Sequence, residues 1–347
     1  MKKNKKEILN NRKIIYLDIL KIFACFMVII NHTNGFILET KNFYNTTFYC
    51  IMFSICKVAV AIFFMITGAL VLNKDYSYKK VFKCIFRVCV PIFTFSLFFY
   101  IKDVGIHNIN IFEFLKLILN KPYILPYWYI YALVGVYLVL PFIQKMVKKF
   151  TNKDYIVFIL IFLIIPTLID FLKNFFTLDI NYNFQLAFFP IIISVVVCGN
   201  YISKMKLSKK IFFSSIGVFI SSYFIMFLSM YLPYLHEDKI SYILDSWNTF
   251  PVILMSISLF YIFRYLFENK SYSKQITNII TIISSTTFGI YLIHTVLNIK
   301  LYKLNIIQKL FSFNGIFAIT ILDILVFIVC MIIIYLLKRI PFIKNFL

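Results

Sequence analysis

The sequence predicts an all-α fold, a polytopic transmembrane bundle of about ten helices with both termini cytoplasmic. Three observations predict it. Of the 347 residues, 61% are hydrophobic and only 14% charged, and the mean hydropathy is +0.87. A soluble domain is about half apolar and a quarter charged, so this excess of apolar surface has no use in water at this length. The apolar residues fall in runs of about 20, the length that crosses a hydrocarbon core as a helix. The Lys and Arg residues sit in short clusters between those runs. Eight Gly and nine Pro leave little material for a turn-rich sheet, and the open edges of a sheet would go unsatisfied in lipid.

The runs lie at 14–38, 46–72, 80–101, 127–145, 155–172, 185–203, 211–231, 248–267, 279–298 and 314–337. The eighth is the least regular, because it starts at Asn248 and contains Pro251. The longest outer loop is about 102–126, in which Asn110–Asn120 reads as a short interfacial helix. With the N-terminus inside, the cytoplasmic segments hold 25 of the 36 Lys and Arg and the outer segments nine, while Lys21 and Lys57 fall within spans. That bias sets the orientation. The Lys-rich head leads into a run that contains Lys21 and His32, with no small-residue cleavage site after it. It is therefore read as the start of the first span and not as a cleaved signal. Residues 1–347 are expected to form a single membrane-embedded unit without a separate soluble domain.

The formal charge of +22 is distributed as a topological signal. It makes no continuous basic face, so nucleic acid is not an expected partner, whereas anionic membrane lipid is. The seven Cys (25, 50, 56, 84, 89, 198 and 330) are scattered through apolar stretches and read as small buried hydrophobes. No metal site is expected. His107 falls in an outer loop, and His236-Glu237-Asp238 reads as a solvated loop.

Ionisable groups inside a span are costly, so they mark where function is to be sought. Five stand out: Lys21, His32, Lys57, His294 and Asp323. Lys21 and His32 are eleven residues apart on the first span, ~16.5 Å along a helix and on nearly one face. Asp18 is one turn before Lys21, placed to pair with it. Two readings stand for this pair. Lys21 snorkels to lipid phosphate and His32 is a polar helix end, or the two line a functional path. Lys57 lies in the outer half of the second span, level with His32, where it either snorkels or joins the same path. Thr67 and Gly68 in that span permit close helix packing. Lys83 and Arg87 are four apart at the cytoplasmic end of the third span, which Pro91 can kink. His294 lands in the outer half of the ninth span. Asp323 is mid-span in the tenth helix and needs a partner, for which Lys57 or a His is suited.

These stretches resemble the acyltransferase-3 family of bacterial membrane-bound acyltransferases, over nearly the whole chain. Tyr16-Leu17-Asp18 followed by Lys21 and His32 resembles the family's Arg/Lys-x10-His motif. Val60-Ala61-Ile62-Phe63-Phe64-Met65-Ile66-Thr67-Gly68 is similar to its FF-x-x-S-G stretch, with Thr67 for the usual Ser and Lys57 where a basic residue is common. Lys83 and Arg87 stand where the family tends to carry arginines, although Cys84 occupies a position that is often a second arginine. Tyr127-Trp128-Tyr129-Ile130-Tyr131-Ala132-Leu133 resembles a W-Y-x-Y-A-L signature. Phe288-Gly289-Ile290-Tyr291-Leu292-Ile293-His294 is the fifth match.

The resemblance implies O-acyl transfer, often of acetyl from acetyl-CoA, to a hydroxyl of a cell-surface glycan, lipid or small molecule. No bound cofactor is implied, since acyl-CoA is a substrate. Lys21, Lys83 and Arg87 would hold its phosphates at the cytoplasmic mouth. His32 would act as general base or transient acyl carrier, and His294 would orient it or the acceptor. Asp18, Lys57, Trp128, Tyr129 and Asp323 would support the path, and Tyr123, Tyr127, Trp128 and Tyr129 would offer rings for a sugar. A second reading is a transporter of a small polar substrate or polysaccharide, with the same residues lining its route. The expected location is the bacterial cytoplasmic membrane. A homo-oligomer or a separate extracytoplasmic partner is compatible with the sequence.

Overall fold

A computed structural model describes residues 15–74, 76–176, 190–341 and 343–346. The basic head before residue 15 and the expected start of the sixth span at 185 lie outside the described residues. Helices account for the bundle, and there is no strand among the described residues. Nine helical segments there are long and apolar enough to cross a membrane, and Ile191–Lys204 is a shorter apolar helix.

The elements follow the apolar runs in order. The first span is α1 (Ile15–Thr33), prolonged by a 3-10 segment (Asn34–Thr40). The second span is two helices, α2 (Phe43–Cys56) and α3 (Val58–Val71). The third is α4 (Tyr78–Val104), and α5 (Ile111–Asn120) follows, with the Asn110 side chain accepting the Glu113 N–H as its cap. The fourth is α6 (Trp128–Val147). The fifth is α7 (Asn152–Ile159), a π turn (Leu160–Ile164) and α8 (Ile165–Phe175). Then come α9 (Ile191–Lys204), α10 (Lys209–Glu237), α11 (Phe250–Phe267), α12 (Lys274–Tyr302), α13 (Asn305–Phe313) and α14 (Gly315–Leu337).

The structure departs from the sequence reading at three places. The second span is not one helix but is broken at Lys57, which is the joint between α2 and α3. Lys57 keeps helical dihedrals (φ −61°, ψ −20°) and lines a cavity. The fifth span widens into a π turn just before Pro166, whose ring cannot donate to the ladder. His236 and Glu237 are not loop residues. They end α10, and Asp238 follows with φ of 54°.

One end of the bundle carries Asp18, Lys21, Lys83, Arg87, Lys204, Arg264 and Lys338, and is called the basic end below. α1 sits at the centre, against α2, α3, α11, α12 and α14. The tightest packing is α3 against α9. A Cβ at Gly68 would fall on the Val196 carbonyl, and one at Gly199 on the Met65 backbone. The two backbones therefore touch, as small residues allow in lipid. Asn200 of α9 ties the end of α3, donating to Asn73 Oδ1 at 2.8 Å while its own Oδ1 accepts from the Tyr155 hydroxyl at 2.8 Å. Gln144 of α6 donates to the Val71 carbonyl at 2.8 Å. Arg264, buried on α11, is answered by the Ile202 and Met205 carbonyls and by the Glu268 carboxylate at 2.7 Å.

Gly68→Ala is expected to destabilise by about 1–3 kcal/mol, the range for an overpacked core, because the obstructing atoms are backbone. Gly217→Ala, which meets nothing within 4 Å, is expected to be neutral. Thermal unfolding of the two variants in the same detergent checks the contrast.

Candidate active site

The site is built where α1 meets α12 in the half of the bundle away from the basic end. His32 occupies the last turn of α1 and His294 lies on α12. Their rings are 5.2 Å apart between centroids, inclined at 45°. His294 is fully buried, with 0% of its surface accessible, whereas His32 is exposed. The His294 Nδ1–H donates to the Tyr291 carbonyl at 2.7 Å. That bond assigns the neutral ring's tautomer and leaves Nε2 as a lone-pair acceptor with no hydrogen-bond partner among the described residues.

His32 is exposed because it lines a cavity of about 350 Å³. Around it stand Asn31, Cys56, Lys57, Ala59, Val60, Trp128, Asp245, Ser246, Trp247 and Tyr291. The two tryptophans of the protein form one wall. Trp128 and Trp247 stack at 6.0 Å with 28° between planes. The Lys57 ammonium is ion-paired with Asp245 and sits 3.9 Å over the Phe53 ring. Tyr291 is held by a hydrogen bond from its hydroxyl to the Pro126 carbonyl, and the Tyr127 hydroxyl donates to the Leu292 carbonyl at 2.6 Å. These bonds fix the start of α6 against α12.

The remaining polar groups are placed as follows. Asp323 pairs with neither Lys57 nor a His, as the sequence suggested; it accepts from the Thr33 hydroxyl, next to His32 in the chain. Among the aromatics expected to offer rings to a sugar, only Trp128 lines the cavity. Tyr129 is packed between Phe64 (4.7 Å) and Tyr291 (5.7 Å), and Tyr127 is fully buried. Tyr123 lies near the end of α4, donating to Asp103 at 2.8 Å. Burial and that bond push its hydroxyl up to about 12.

At the basic end, Lys21 pairs with Asp18 at 3.0 Å, and Asp18 also accepts from Ser284 of α12 at 2.7 Å. Lys83 and Arg87 are exposed on α4. Arg87 and Lys344 both lie near Lys338. The Lys338 ammonium donates to the Ser285 carbonyl at 2.6 Å, and burial followed by the Arg87 and Lys344 charges lowers its pKa. A cluster of cations that repel one another suits a polyanion.

The histidine pair, the flanking motifs and the bundle are now in view together. A family model described as an acyltransferase domain matches residues 14–338, nearly the whole chain. The chain belongs to that acyltransferase family. No curated protein and no solved structure matches it. With its apolar spans, this acyltransferase is a multi-pass membrane protein.

Four residues of the candidate site escaped sequence reasoning. Asp245 and Trp247 lie in the connection before α11, where nothing local marks them. Lys338 and Lys344 were read only as topological charge. The one available signal was Lys57 itself, a cation at membrane depth that requires a counter-charge from somewhere.

A double-mutant cycle tests the cavity pair. Lys57→Met and Asp245→Asn are each expected to lower stability, with a coupling of about 1 kcal/mol. Additive effects in thermal unfolding would show that the ions do not meet.

Proposed function

We propose that this protein is an O-acyltransferase of the bacterial cytoplasmic membrane. It takes an acetyl or other short acyl group from acyl-CoA on the cytoplasmic side and passes it to a hydroxyl of a cell-surface glycan or related acceptor. The observation that carries this reading is the histidine pair, with one ring open to a cavity and the other sealed behind it.

The basic end is taken as cytoplasmic, from the bias in Lys and Arg. Acyl-CoA carries phosphates, and Arg87, Lys338 and Lys344, with Lys83 one turn away and Lys21 on α1, supply cations at that end. The acceptor enters the cavity from the other end. A wall of two stacked tryptophans suits the apolar face of a sugar ring, and Asn31, Asp245 and Ser246 offer polar edges for its hydroxyls.

Only His32 is accessible, so His32 is the group that meets the acceptor. As a neutral imidazole it takes the proton of the acceptor hydroxyl, and the oxygen attacks the thioester carbonyl. The C–S bond then breaks, the new ester forms, and the imidazolium returns its proton to the leaving thiolate of CoA. Lys57 places positive charge in the same cavity, where the carbonyl oxygen becomes negative in the transition state. His294 is a positioning residue. Its Nδ1–H is spent on the Tyr291 carbonyl, so the ring is held in one orientation behind His32.

The test uses purified protein, radiolabelled acetyl-CoA and a glycan extract of the cell envelope. His32→Ala is expected to lower kcat by roughly 10²–10⁴-fold, the usual contribution of a general base. An inserted, stable His32→Ala protein with full transfer would overturn the assignment. In the same assay Arg87→Ala and Lys338→Ala are expected to raise the KM for acetyl-CoA with little change in kcat, which is the signature of lost ground-state binding.

A further inference from the structure

A second concavity lies along α12, on a face that shares no lining residue with the histidine cavity. It is an almost wholly apolar groove of about 670 Å³ where α4 faces α12 and α14, lined by Val90, Phe98, Val296 and Ile333 and closed toward the basic end by Leu337 and Phe346. At its far end, away from the basic end, stand Lys102 of α4 and Lys300 of α12. Both are exposed, and neither has a carboxylate partner among the described residues. Asp103, the acid nearest in sequence to Lys102, instead accepts from the Tyr123 hydroxyl.

Dimensions decide what can lie there. From Val90 to Lys102 the α4 helix rises ~18 Å. One leaflet contributes about 15 Å of hydrocarbon to a bilayer core. The α4 wall of the groove from Val90 to Lys102 therefore matches a lipid chain from a single leaflet, with the two lysines at the level of that leaflet's head groups. An apolar groove in contact with lipid is filled by hydrocarbon in any case. A pair of cations without counter-charge at its head-group end adds a requirement for an anion.

We propose that this groove is a binding site for an anionic bilayer phospholipid in the leaflet away from the basic end, with one acyl chain along α4 and α12 and the phosphate between Lys102 and Lys300. The site shares no lining residue with the histidine cavity. A lipid held there wedges α4 against α12, the helix that carries His294.

The test is native mass spectrometry of the full chain, released from detergent containing equimolar phosphatidylglycerol and phosphatidylcholine of the same chain length. One phosphatidylglycerol is expected to be retained in preference to phosphatidylcholine. Lys102→Ala/Lys300→Ala is expected to reduce that retention about thirty-fold, equivalent to about 2 kcal/mol at 1.4 kcal/mol per decade and to about 1 kcal/mol per lysine near a charged head group. Lys102→Arg/Lys300→Arg keeps it. Val296→Trp, which fills the groove, removes both lipids while leaving the elution profile of the protein unchanged. Equal retention of the two lipids by the unmodified chain would overturn the proposal. So would undiminished phosphatidylglycerol in the alanine pair, or displacement of phosphatidylglycerol by an equimolar isoprenyl phosphate.

Discussion

Parallel pairing of α1 with α12 sets the register on which the site depends. Asp18 meets Ser284, Cys25 donates to the Thr287 carbonyl, the His32 ring meets His294, and Phe36 stacks on Tyr302. The separations in sequence stay near-constant along the pair, so the two helices rise through the membrane side by side with little slip. A shift of one residue on either helix would turn it by about 100° and carry one histidine away from the other. The short contacts near the basic end therefore hold the geometry of the far end.

The second governing condition is that polar groups at membrane depth find partners inside the protein, because hydrocarbon offers none. Most do. Asp323 has Thr33, Lys57 has Asp245, Arg264 has two carbonyls and Glu268, and Asn200 joins Asn73 to Tyr155. Among the described residues, four of the eight buried polar atoms without a partner lie on one helix. His294 Nε2, the Thr295 hydroxyl and both side-chain polar atoms of Asn298 are buried on α12 without a partner. Unmet hydrogen-bonding capacity is expensive in a core, and here it lies beside the proposed chemistry, as it does where a site completes itself only with substrate.

Much of the fold was legible in the sequence, because long apolar runs and their basic flanks are dictated by lipid. The short helix after Asn110 was legible for the same reason, since an amphipathic stretch between two spans has only the interface to occupy. What was not legible depended on tertiary contact. Lys57, at the joint of α2 and α3, pairs with Asp245, nearly two hundred residues away, and no local pattern encodes that contact. The π turn before Pro166 is a choice among several ways to absorb a missing donor. At the site, the level of His32 and His294 could be read from helix rise, but not which of the two rings would be open. Burial of Tyr129 and exposure of Trp128 to the cavity, adjacent in sequence, turn on the rotation of α6. Lys21, Lys83 and Arg87 were read as one cationic group, and the nearness of Lys338 to Arg87 had no local signal.

The account joins two faces of one membrane: cations at the basic end for the donor, and a histidine cavity toward the other end for the acceptor. The measurement that tests this most directly is sidedness. Protein reconstituted in sealed vesicles, with its orientation read by protease access to a tag at the C-terminus, is given labelled acetyl-CoA outside and glycan extract within. The account predicts transfer only from vesicles in which the basic end faces outward. Equal transfer with either end exposed to the donor would contradict it.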